Sequence, residues 1–219
     1  MKKLSSDQNL KIKQIFASAS ENHLKNNFKI AQNLYQDILK INPYHVETLY
    51  NLGLVFQQFG EFNKAKGFYK KAIQIKPNYV DAHNNLGLMF KELNDLKNAK
   101  RCYEKAIQID SNCVSAIFNL GILFRELGKF QKAVNCYEKV IKITPNFAKA
   151  HNNIGNVFKK IGNDDKAITH FERALKLNPN SIEAQVNISN VYIAQLDNFK
   201  KAINASHKAL KMYHEKSQF

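Results

Sequence analysis

Two groups of side chains in this 219-residue sequence could do chemistry: a few imidazoles and thiols, and a regular file of carboxamides. A thiol beside an imidazole makes a nucleophile, and a cluster of both holds zinc. The spacing argues against either. Cys102, Cys113 and Cys136 have no histidine placed beside them, and His83 and His151 are a long way apart in the chain. If they occupy equivalent sites two repeats apart, in stacked helix layers roughly 8–10 Å apart, the two imidazoles stand about 20 Å from each other. One zinc, at roughly 2 Å per bond, cannot bridge them. Both read as partly buried packing residues. The glycines are spread out and make no phosphate-cradling loop. The sequence therefore predicts no catalytic residues, no metal and no cofactor.

The carboxamides are more telling. Asn51, Asn85, Asn119, Asn153 and Asn187 recur every 34 residues without a gap. An amide offers both a donor and an acceptor, so such a ladder can hold a peptide backbone without reading its side chains. The same residues could instead bond a neighbouring helix.

The ladder needs elements of the same period, and the sequence has them. Pro43, Pro77, Pro145 and Pro179 lie on one 34-residue lattice, with Ser111 at the missing node. Gly53, Gly87, Gly121 and Gly155 form a second series, and Gly60, Gly128 and Gly162 a third. A period of this size marks a solenoid of helix-turn-helix units, each burying its apolar face on its neighbours. Leu49, Leu52, Gly53 and Phe56 share one helical face, and after the turn at Gly60 comes a second face of Ala65, Tyr69 and Ala72. The pattern returns as Leu86, Gly87, Phe90, Ala99, Tyr103 and Ala106. It returns again as Leu120, Gly121, Phe124, Ala133, Tyr137 and Val140, and then as Ile154, Gly155, Phe158, Ala167, Phe171 and Ala174. Segments are expected at 12–45, 46–79, 80–113, 114–147, 148–181 and 182–216, between tails 1–11 and 217–219.

On these residues the chain resembles the tetratricopeptide repeat (TPR) family over nearly its whole length. The resemblance implies an all-α, right-handed α-α superhelix of six TPR units. The end units are degenerate: Ser18 and Asn22 make a polar first helix, Ser189 replaces glycine, Ala202 arrives one residue late, and Ser206 stands where an aromatic belongs. The ladder is similar to that of the TPR arrays of O-GlcNAc transferases, which hold extended polypeptide; no residues remain here for a catalytic domain.

In the family, first helices line a concave groove. Carried over, that groove presents Tyr50, Asn51 and Leu54, then Asn84, Asn85, Leu88 and Lys91. Phe118, Asn119, Ile122 and Arg125 follow, then Lys149, Asn152, Asn153, Asn156, Lys159 and Lys160, with Asn187 and Asn190 last. The family's carboxylate clamp is not expected, because Phe118, Ile122 and Asn153 replace its polar and basic residues. The implied function is a protein-protein interaction scaffold within a larger assembly, taking a segment that is apolar with acidic character.

The net charge of +15 raises an alternative, binding of RNA or another polyanion. Most basic residues, such as Lys71, Lys105, Lys139, Arg173 and Lys208, fall on second helices and read as a solvated face. A further alternative is a regulatory or substrate-recruiting subunit related to a larger TPR enzyme. Ile203, Leu210 and Met212 are expected to leave apolar surface near the C-terminal end, available to a partner or a second copy. No window is apolar enough for a membrane span. Sparse, odd cysteines favour a reducing compartment, cytoplasmic by default, with an organelle or ciliary setting open.

Overall fold

The computed structural model describes residues 4–194 and 199–216, and among them are twelve α-helices and no strand. They form two compact units, Met1–Cys113 and Val114–Phe219. The first contains α1 (Ser6–Leu24), α2 (Phe28–Ile41), α3 (Val46–Gln58), α4 (Phe62–Ile75), α5 (Val80–Glu92) and α6 (Leu96–Ile109). The second contains α7 (Val114–Glu126), α8 (Phe130–Ile143), α9 (Ala148–Lys160), α10 (Asp164–Leu177), α11 (Ile182–Ala194) and α12 (Phe199–Lys216). Consecutive helices pair as hairpins, and within each unit the second helix of one hairpin packs on the first helix of the next.

Helix α6 shows why these segments fold as they do. The Asp95 carboxylate accepts the Asn98 backbone N–H at 3.1 Å, capping the first turn. Ala99, Tyr103 and Ala106 then bury one stripe, while Lys97, Glu104 and Lys105 stay outside. Between hairpins the chain makes one recurrent turn. The N–H groups of His45, Tyr79, Cys113, Phe147 and Ser181 each donate to the carbonyl three residues earlier, at 3.1–3.2 Å. At the node without proline the turn persists, because the Asp110 carboxylate accepts the Asn112 N–H at 2.9 Å. The same kind of bond stands beside Pro43, where the Asn42 amide oxygen accepts the Tyr44 N–H at 3.0 Å, so it supports the turn with or without a fixed φ.

The turn inside each hairpin needs a left-handed residue. Gly60, Gly128 and Gly162 have φ of 71°, 69° and 78°, and Asn26 and Asn94 take the same place at 61° and 57°. Asparagine is the side chain that tolerates this region best, so the series includes the two nodes where glycine is absent.

Each hairpin but the last closes by placing a small residue of its first helix under a ring of its second. A Cβ at Gly121 would lie 2.6 Å from Tyr137 Cε1. The rings of Tyr35, Tyr69, Tyr103, Tyr137 and Phe171 are the largest fully buried side chains. Burying each is worth roughly 1.5–3 kcal/mol. In the last hairpin both partners change together: Ser189 and Ser206 meet Oγ to Oγ at 2.5 Å. The one-residue slip before Ala202 falls at 195–198, outside the described residues. At the other end, α1 buries only Ile12 and Ala19 and opens with a capping box between Ser5 and Gln8.

Candidate protein-binding site

In the first unit the predicted groove residues share one side of α3 and α5. Tyr50, Asn51, Leu54, Asn85, Leu88 and Lys91 are half-buried, and Asn84 is only 7% exposed. The Asn85 amide donates to the Tyr50 hydroxyl at 3.0 Å and accepts from Asn84 at 3.1 Å. The Tyr50 ring lies 4.9 Å from that of Tyr79, centroid to centroid. Burial, with neighbouring Tyr50, Asp81 and Glu47, pushes the Tyr79 phenol up to about 12. Burial also raises Tyr35, an effect that hydrogen bonds to Ser20 and to Asn51 oppose.

In the second unit Asn119, Ile122, Arg125, Asn153, Asn156, Lys159 and Asn187 are half-buried, and Lys149, Lys160 and Asn190 are exposed. Phe118 stacks edge-on to Phe147 at 5.1 Å. A pocket of about 480 Å³ opens beside it, lined by Lys149, Asn152, Asn153, Ser181 and Glu183 among others. Asn152, 6% exposed, donates to Glu183 at 2.7 Å and accepts from the Asn187 amide at 3.1 Å. Arg125 donates to Asn153 at 3.2 Å.

These bonds disclose a rule that the period alone does not. Asn85 reaches Tyr50 and Asn187 reaches Asn152, in each case 35 residues back. At these two rungs the amide clips one hairpin to its predecessor within its unit, because the earlier residue can accept. Phe118 cannot, and Asn153, 35 residues after it, instead accepts from Arg125. Two rungs thus spend polar atoms on joining helices within their unit.

The imidazoles pack as expected. His83 Nε2 lies 2.9 Å from the Pro77 carbonyl, and His151 Nδ1 lies 3.3 Å from His170 Nδ1. Burial lowers both members of the pair. The His170 and Arg173 charges add to this for His151, and the Lys166 charge does so for His170. His170 escaped the sequence reading; the available signal was that it occupies the repeat position of Cys102 and Cys136. The sequence placed no cysteine beside a histidine, yet Cys102 and His83 line one groove. Burial pushes the Cys102 thiol up to about 11, so it is protonated at neutral pH and a poor nucleophile. Among the described residues no three His, Cys, Asp or Glu side chains are grouped to hold a metal, and no helix is long and apolar enough to cross a membrane. Ile203 and Leu210 are exposed and Met212 is half-buried.

The tetratricopeptide repeat family model matches residues 46–79, 80–113 and 148–181, and a second TPR repeat model matches 121–162. Among solved structures the chain is similar to MamA, at 27% identity over 78% of this chain and 93% of that one, with a TM-score of 0.68. It also superposes on PilF of Pseudomonas aeruginosa, at 16% identity over 95% and 94% of the two chains, with a TM-score of 0.81. YrrB, described as a TPR protein with an unusual peptide-binding site, aligns at 22% identity over 78% and 88%, with a TM-score of 0.64. No curated protein matches the chain. With the repeat models covering over half of its residues and five of the hairpins closed by a buried ring, the chain belongs to the tetratricopeptide repeat family, an all-α solenoid of the kind that serves as a protein-binding scaffold.

Proposed function

We propose that this chain is a non-catalytic scaffold that takes an extended or helical segment of a partner protein on the α7/α9 side of the second unit, with the α3/α5 side of the first unit as a separate seat, as part of a larger assembly. The observation that carries this reading is the pocket beside Phe118. An aromatic floor, an exposed ammonium at Lys149 and several carboxamides converge on about 480 Å³, a volume suited to one or two side chains. Phe118 and Ile122 supply apolar contact, and Lys149, Arg125, Lys159 and Lys160 favour acidic residues. In the first unit Tyr50, Leu54 and Leu88 offer a more apolar seat. The likeness to YrrB, a TPR protein with a peptide-binding site, supports the class of ligand and not its residues. The exposed Ile203 and Leu210 are a second place for a partner or another copy.

The test places a photo-crosslinking residue at Asn156, beside the pocket, in the intact chain, and identifies the captured protein. Phe118→Ala with Lys149→Glu should abolish that capture while the far-ultraviolet circular dichroism stays unchanged. Undiminished capture by this double variant would sink the assignment. Capture of nucleic acid, with affinity falling steeply as salt rises, would favour the polyanion alternative instead.

A further inference from the structure

A groove of about 1000 Å³ runs between α4 and α6 across α5. It uses the other side of α5: His83, Leu86 and Phe90 face it, roughly opposite to Asn85, Leu88 and Lys91 by helical spacing. Its floor is Ile73, Leu86, Phe90 and the half-buried Cys102.

Volume explains why the floor is open. The matching residues of the second unit are His151, Phe158 and His170, each two periods after His83, Phe90 and Cys102. There the two imidazoles hydrogen-bond, and the His170 ring stacks on Phe158 with centroids 5.6 Å apart. A thiol in place of that imidazole leaves the first unit's floor uncovered.

Charge says what the groove receives. On its rim the Asp95 carboxylate is held by the Asn98 backbone and side-chain N–H groups at 3.1 and 2.7 Å. Glu104 is paired with Lys100 at 3.0 Å, and Lys105 donates to Gln108 at 3.0 Å. The rim charges with no carboxylate or amide side chain bonded to them are those of Lys70 and Arg101, both exposed. The Lys70 and Lys66 ammonium groups stand 5.4 and 5.8 Å from the Phe90 centroid, so cations edge the aromatic floor.

We propose that this groove is a second interaction surface, which receives an acidic segment of a partner protein. One large apolar side chain of that segment sits on Ile73, Leu86 and Phe90, and its carboxylates meet Lys70 and Arg101. The two bound acids on the rim disfavour a phosphate backbone, and the apolar floor has no use for one.

The experiment uses the full chain and a fluorescein-labelled peptide, Glu-Glu-Phe-Asp-Glu, followed by fluorescence anisotropy. Affinity should fall at least about tenfold in Lys70→Glu with Arg101→Glu, whose exposed sites leave folding intact. Replacing the peptide's Phe by Ser should weaken binding comparably, and Cys102→His, which installs the second unit's residue, should close the groove. Bound peptide should also slow alkylation of Cys102 relative to Cys136. Phe118→Ala with Lys149→Glu should leave all of this unchanged, which separates the groove from the site proposed above. The inference is overturned if the wild-type chain does not bind the peptide, or if the Lys70/Arg101 variant binds as tightly as wild type. It is equally overturned if the Ser peptide competes as well as the Phe peptide, or if the Phe118/Lys149 variant is the one that loses binding.

Discussion

Tyr50, Asp81 and Asn85 in the first unit and Phe118, Lys149 and Asn153 in the second hold the same three places in the repeat, two periods apart. Around them the scaffold is the same: the same hairpins, the same turn bond, the same glycine beneath a buried aromatic ring. What differs is one oxygen, the sign of one charge, and Arg125 where the first unit has Gln57. The Tyr50 hydroxyl accepts the Asn85 amide and fills its site. Phe118 accepts nothing, Asn153 turns to Arg125, and a pocket with an ammonium on its rim stands open. The residues that keep the period and those that set the chemistry are neighbours, but they are different residues, and the second set can change without cost to the first.

The largest effect comes from breaking what the two sites share. Gly87→Ala and Gly121→Ala each drive a Cβ to 2.6 Å from a buried tyrosine ring. Both should destabilise by about 1–3 kcal/mol, read from urea unfolding. Exchanging the oxygen sharpens the comparison. Tyr50→Phe removes one acceptor of the Asn85 amide, which keeps its contacts with Tyr69 and Asn84, and should cost about 0.5–1.5 kcal/mol, whereas Phe118→Tyr restores an acceptor near Asn153 and should cost nothing or stabilise slightly. Equal losses for both would show that the amide clips play no part in stability.

A smaller contrast concerns the buried phenols. The Tyr69 hydroxyl donates to Gln57 at 3.0 Å, while Tyr137, beside Arg125 at the corresponding place, is buried with no acceptor. Tyr69→Phe should therefore lose about 1 kcal/mol, and Tyr137→Phe should be neutral or stabilising by thermal denaturation. The smallest effect is the pH response of the second unit. Burial holds His151 and His170 below the ordinary histidine value, with Arg173 and Lys166 adding to it, so the unfolded chain takes up protons first. Their contribution is constant above about pH 6.5 and turns destabilising as pH falls through that value toward the lower folded pKa values. The loss should reach up to about 1 kcal/mol, discounted for partial exposure. Because His23 and His45 shift in the same direction, the diagnostic variant is His170→Cys, whose stability should depend less on pH than that of wild type.

The period was legible because glycine, proline and buried rings report backbone and volume demands that few other residues meet. That made the hairpins and the ladder's register readable from one sequence. The left-handed nodes at Asn26 and Asn94, and the side-chain turn at Asp110, were not, since each substitutes a different chemistry for the same backbone demand. The ladder's partners were hidden for another reason. Whether a rung bonds its neighbour depends on the residue 35 places back, a relation that exists only once hairpins stack. The open groove at Cys102 depends on the difference in size between a thiol and an imidazole, which no periodicity reports.

The serine pair that closes the last hairpin has a consequence for the order in which the chain comes apart. A hydroxyl-to-hydroxyl bond stands where the other hairpins bury a ring, so α11 and α12 lack the large buried side chain that closes the other pairs of their unit. Local opening follows local contact, and segments with the thinnest core exchange their amide hydrogens soonest. Fraying should begin at this hairpin and advance one hairpin at a time toward α7. The rest of the second unit, held by its rings, stays closed at free energies that already release its last two helices.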